Sequence, residues 1–83
     1  MEINRIRPGD KIQVMIYDPD GKKIDTYDGT GFHTIGDAVR SAFESSNRNT
    51  EDIRDYVFRV FNVSESTSER YRVNAHGNVT LIV

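Results

Sequence analysis

The sequence predicts a small α+β domain in which one helix packs on one face of a mixed sheet in the order ββαβββ, and three observations carry that reading. Several short segments alternate apolar and polar residues with the period of two that strands require. Only Ile35 to Phe43 repeats at convincing helical spacing. The segment from Tyr56 to Val63, Tyr-Val-Phe-Arg-Val-Phe-Asn-Val, is apolar on both strand faces. If Tyr56, Phe58 and Val60 point at the helix, alternation sends Val57, Phe61 and Val63 the other way, with Arg59 among them. One helix covers one face, so the second face calls for a cover or a partner.

The 83 residues make one domain. At this size folding buries only about 60–65% of the unfolded chain's surface, and a core this thin leaves little room for a deep substrate cleft. Catalysis is therefore not expected. The absence of cysteine excludes disulfides, thiolate metal sites and cysteine nucleophiles. Neither the N-terminal run nor any other stretch has the apolar length of a secretory leader or a membrane span, which gives the expectation of a cytoplasmic protein without a membrane partner. On the same ground Asn62-Val63-Ser64 and Asn78-Val79-Thr80 read as chance glycosylation matches. Eleven basic against thirteen acidic side chains give a net charge of −2, unlike the high pI of a dedicated non-specific nucleic-acid binder.

Residues 1–9 read as an N-terminal extension and residues 10–29 as a hairpin. Its first strand alternates Ile12, Val14 and Ile16 with Gln13, Met15 and Tyr17. Asp18-Pro19-Asp20-Gly21 has the chemistry of a type I turn closed by a bulge. The return strand from Lys23 to Asp28 is polar, with Ile24 and Tyr27 as its large apolar groups, and suits a sheet edge. Thr34 with Asp37 approximates a capping box for a helix within residues 34–46, whose stripe is Ile35, Ala38, Val39, Ala42 and Phe43. Asn49 or Thr50, ahead of Glu51 and Asp52, is placed to cap a short further turn. The C-terminal segment, residues 55–83, holds the two-faced strand and a polar Ser64–Ser68 loop. A strand from Glu69 to Ala75 follows, then a turn around His76-Gly77 and a last strand alternating Val79, Leu81 and Val83.

With the helix crossing over to bring a strand back beside the first, this element order resembles the β-grasp, or ubiquitin-like, architecture. The resemblance covers most of the chain and rests on element order, not on a motif. It implies an adaptor role. The ending Leu81-Ile82-Val83 lacks the Gly-Gly of ubiquitin-like modifiers and sulfur carriers, and the chain lacks the cysteines of β-grasp ferredoxins.

Three groups of residues suggest a chemistry, and each has a simpler reading. Asp18, Asp20, Asp25 and Asp28 gather around Gly21, but an EF-hand loop places its glycine sixth and an acid twelfth, whereas lysines follow this glycine. They read as a hairpin. His33 and His76 stand 43 positions apart without a second ligand at useful spacing, so neither a metal nor a cofactor is expected. Gly29-Thr-Gly-Phe-His-Thr-Ile-Gly36 precedes a helix as phosphate loops do, yet it matches no fingerprint and contains no lysine. The start of a helix explains it.

The sharper expectation concerns the sheet face away from the helix, where Met15, Tyr17, Tyr27, Val57, Phe61 and Ile82 would gather beside Arg59, Arg70 and Arg72. Aromatic, methionine and arginine side chains favour partner-binding cores. The alternative is that segments around Ile3 and Ile6, or Ile53, fold over this face within the monomer. The expected function is a non-enzymatic interaction module whose sheet face or edge meets an unidentified protein or a second copy. A nucleic-acid accessory domain is the alternative, since arginines beside aromatic rings also receive unpaired bases. A self-assembling structural domain is a third.

Overall fold

The computed structural model describes residues 6–48 and 50–82. Its elements are β1 (Ile12–Tyr17), β2 (Lys23–Gly29), α1 (Ile35–Glu44), a 3₁₀ turn (Ile53–Asp55), β3 (Val57–Asn62), β4 (Thr67–Val73) and β5 (Val79–Leu81). Ile3, Asn49 and Val83, which figured in the sequence reading, lie outside the described residues. The five strands form one open sheet in the order β2-β1-β3-β4-β5, with α1 packed on one face.

Every neighbouring pair is antiparallel, which corrects the expectation of a mixed sheet. The chain does return from the helix to lie beside β1, but β3 runs against β1 and therefore in the direction of β2. The parallel relation that a helical crossover generates thus joins β2 and β3, and β1 fills the space between them. The element order ββαβββ is the expected one, and neighbouring strands among the described residues form no parallel pair.

The helix forms where its stripe predicts. The Thr34 hydroxyl accepts the Asp37 N–H at 3.1 Å, and Ile35, Ala38, Val39, Ala42 and Phe43 are all buried. The sheet meets them with Ile12, Val14, Ile16, Phe58, Val60, Tyr71 and Val73. Phe43 is the hinge of the aromatic packing, its ring centroid 5.3 Å from Tyr56 and 6.1 Å from Phe58. The helix stops two residues short of the expected 46, where buried Ser46 turns its hydroxyl back to donate to the Phe43 carbonyl at 2.7 Å. Asp52, rather than Thr50, caps the 3₁₀ turn, accepting the Arg54 N–H at 2.9 Å.

Two of the hairpins share one turn design. Asp18 and Asn74 each accept, on one side-chain oxygen, the N–H groups two and four residues ahead, and their carbonyls accept from Gly21 at 2.9 Å and Gly77 at 3.0 Å. Both glycines take positive φ, +85° and +82°, as the closing position requires. The β3–β4 turn departs from this pattern. Asn62 accepts the Glu65 N–H, and Ser66, with φ at +56°, carries a Cβ in the left-handed region. Strand β4 therefore begins at Thr67, two residues earlier than the alternation from Glu69 suggested, and Ala75 lies in the following turn.

Residues 6–10 are tied to the sheet by a buried polar link. Asp10 accepts from the Asn62 side-chain amide at 2.9 Å and from the Arg7 N–H at 3.1 Å. These hydrogen bonds, the Asn62 one foremost, hold the Asp10 carboxyl below its ordinary value of 3.8. Asp52 is lowered further, to about 2, chiefly by the Arg54 guanidinium.

Three outcomes follow from this packing. Phe58→Ala removes a fully buried ring at the sheet centre and should cost about 3–5 kcal/mol in chemical denaturation, a large share of a small domain's stability. Ser66→Gly should stabilise by about 0.5–1 kcal/mol, because relief of the left-handed strain exceeds glycine's added unfolded-state entropy. The depressed carboxyls of Asp10 and Asp52 contribute stability that is complete above the ordinary aspartate value. It is lost as the pH falls from there through the folded-state values. Denaturation midpoints followed from pH 6 to pH 2 should fall less steeply in Asp10→Asn than in the wild type.

Candidate functional site

Strand alternation and cross-strand register decide which side chains share the face opposite the helix. Tyr17 pairs with Val57, and Val57 with Arg72; Met15 pairs with Arg59, and Arg59 with Arg70; Gln13 pairs with Phe61, and Phe61 with Ser68. Directly paired residues lie on the same side, so these rows build one surface. The backbone N–H of Ile82 donates to the Arg70 carbonyl at 2.9 Å, which continues the register and adds Ile82 to the Arg59–Arg70 row.

Eight of the nine expected residues therefore converge: Met15, Tyr17, Val57, Arg59, Phe61, Arg70, Arg72 and Ile82. Tyr27 does not. It pairs with Val14, faces the helix side and packs its ring 6.3 Å from Phe32. The bulge where β1 meets its turn sets the register of β2, so Ile24 and Tyr27 both join the helix-side core. Val63 also leaves the predicted row, because β3 ends at Asn62 and Val63 is 57% exposed beyond it.

None of the described segments folds over this face. Ile6 is buried in the helix-side core, and Ile53 packs against that same core. On the open face Met15, Tyr17, Val57, Phe61 and Ile82 are half-buried, while all three arginines are exposed. Long arginine stems can lie over apolar neighbours and keep the charged head in water. The Arg59 guanidinium sits 5.2 Å from the centre of the Phe61 ring, and its Nε donates to the Ser68 hydroxyl at 3.1 Å. Among the described residues no carboxylate forms an ion pair with Arg59, Arg70 or Arg72; the salt bridges seen are Arg48–Glu51 and Arg54–Asp52.

Arg59 and Arg70 stand directly opposite each other across β3 and β4, an arrangement that like charges disfavour. Beside them lies a shallow depression of about 290 Å³ lined by Tyr17, Gly21, Val57, Arg59 and Arg70. Sequence reasoning missed Ser68, which it assigned to a loop. Extending the Arg70–Arg72 alternation back by one step would have found it.

The other candidates take structural roles. Asp18 is occupied by the N–H groups of its own turn, and Asp25 accepts the Thr26 N–H. Gly31 takes φ +85° with its N–H on the Pro8 carbonyl, and a Cβ on Gly29 would meet the Phe32 ring at 2.9 Å. The glycines before the helix are thus explained by backbone conformation and close packing. His33 and His76 are exposed in separate loops, and no cluster of three His, Cys, Asp or Glu able to hold a metal occurs among the described residues. No helix among them is long and apolar enough to cross a membrane. Comparison of the chain with family models, with curated proteins and with solved structures gives no match, so the chemistry of this surface has to be read from its own geometry.

Proposed function

We propose that this domain is a non-enzymatic binding module that presents the open face of its sheet to a protein partner. The observation that carries the proposal is the grouping of three arginines, which meet no carboxylate among the described residues, with half-buried Met15, Tyr17, Val57, Phe61 and Ile82 on a face that no described segment covers. An arginine and aromatic centre with aliphatic neighbours is the composition that partner-binding cores favour.

Self-association through the same face is the weaker reading. A twofold contact would set the arginines of one copy against those of the other, and like charges brought together cost affinity. A nucleic-acid reading draws on the same arginines and on the stacking of Arg59 over Phe61. It predicts binding that weakens steeply as salt rises.

The test places a photo-crosslinking amino acid at Phe61 on the sheet face, or at Asp37 on the exposed side of the helix, in cells of the source organism. Adducts to one protein from Phe61 and none from Asp37 support the proposal; the reverse pattern overturns it. A paired stability measurement checks that the face is open. Val57→Thr should cost less than about 1 kcal/mol, whereas Val60→Thr, which buries the same hydroxyl on the helix side, should cost about 1–3 kcal/mol.

A further inference from the structure

The chemistry of the partner can be taken one step further, resting on the open-face reading above. The three arginines occupy a compact area. Arg70 and Arg72 are two residues apart on one strand, a separation of about 6.6–6.8 Å, and Arg59 faces Arg70 across the ladder. Arg59 and Arg70 line one depression and meet no carboxylate among the described residues, so an anion that bridges them gains charge-assisted hydrogen bonds. The planar guanidinium fork suits carboxylates. We propose that this face receives an acidic protein segment whose carboxylates pair with Arg59, Arg70 and Arg72, while a neighbouring apolar side chain enters the depression between Tyr17 and Val57.

Three features favour an acidic peptide over a nucleic-acid strand. The cationic area spans one step of two adjacent strands, whereas single-strand binders track about 4–16 nucleotides along a basic groove. On the β2 edge Asp28, which pairs with Gln13 and accepts its amide, stands at the margin of this face, where a polyanion would be repelled. The rings are also poorly placed as a stacking platform, because Phe61 already carries the Arg59 guanidinium and the Tyr17 hydroxyl is turned to the Met15 sulfur at 3.7 Å. The remaining neighbours, Met15, Val57 and Ile82, match aliphatic side chains.

The test is selection of a displayed random-peptide library on the folded protein, with counter-selection on the double variant R59Q/R70Q. These exposed positions leave the core untouched, and a dispersed amide spectrum verifies that the variant is folded. Enriched peptides should carry an excess of Asp and Glu next to a large apolar residue. A synthetic copy should shift the amides of Met15, Val57 and Arg70. Its affinity should drop by about tenfold or more on R59Q/R70Q, and likewise when its own acids become Gln or Asn.

Peptides without acidic excess that still need Val57 and Phe61 would overturn the acidic chemistry and leave the open-face reading standing. So would tumbling slower than a monomer's that Val57→Thr restores, since the occupant would then be a second copy. Saturable, steeply salt-dependent binding of a single-stranded oligonucleotide, with no peptide enriched, would assign the face to nucleic acid and overturn this proposal. Enriched peptides that bind R59Q/R70Q and a Val57→Thr/Phe61→Ser variant as well as the wild type would overturn both readings.

Discussion

The pairing of β3 with β1 is the contact on which the rest of this structure depends. β3 lies at the centre of five strands, so its inner row, Phe58 and Val60, completes the surface on which the helix rests. Its outer row, Val57, Arg59 and Phe61, becomes the middle of the opposite face. A ten-residue helix is too small to envelop a sheet of this width. The two faces of β3 therefore meet different surroundings, one a packed core of aliphatic and aromatic groups and the other water and arginine.

That asymmetry explains how a chain with slightly more acid than base can carry a cationic surface. Many of the acids sit in the hairpin turn, along β2, on the helix and around the 3₁₀ turn, and Glu69 of β4 lies in the helix-side row opposite Val60, while Arg59, Arg70 and Arg72 lie on the opposite face of β3 and β4. Net charge describes the whole molecule, and recognition depends on the local field. The arginine stems also help an antiparallel sheet tolerate one uncovered side, because they shield apolar atoms without removing them from reach of a partner.

Polar contacts secure the chain around this frame. The link from Asp10 to Asn62 anchors the stretch ahead of β1 to the end of β3, and Asn62 also organises the turn into β4. Tyr56 does the same at the other end of β3, burying its ring against Phe43 while its hydroxyl donates to the Glu51 carboxylate. Arg40 reaches from the helix to the Gly77 carbonyl at 2.7 Å and ties α1 to the last hairpin. The Asp10–Asn62 and Arg40–Gly77 connections join elements distant in sequence, and none of the four lays a described segment over the open face.

The sequence by itself determined the element order, the helix with its Thr34 cap, the first hairpin turn and the two-faced character of β3, because these depend on periodicity and on local backbone chemistry. It also placed eight residues of the candidate surface, since alternation along a strand is a local rule once the inner row is known. Tyr27 escaped it because one bulge at the end of β1 shifts which residues of β2 face inward. The direction of β3 escaped it because a crossover helix can return a strand beside either neighbour, and alternation is the same in both directions. The destination of Ile6 and Ile53 was equally illegible, since an isolated isoleucine has no periodicity to follow. Only the tertiary structure decided these points: register, strand direction and the docking of short segments are settled by long-range contacts that a local pattern does not encode.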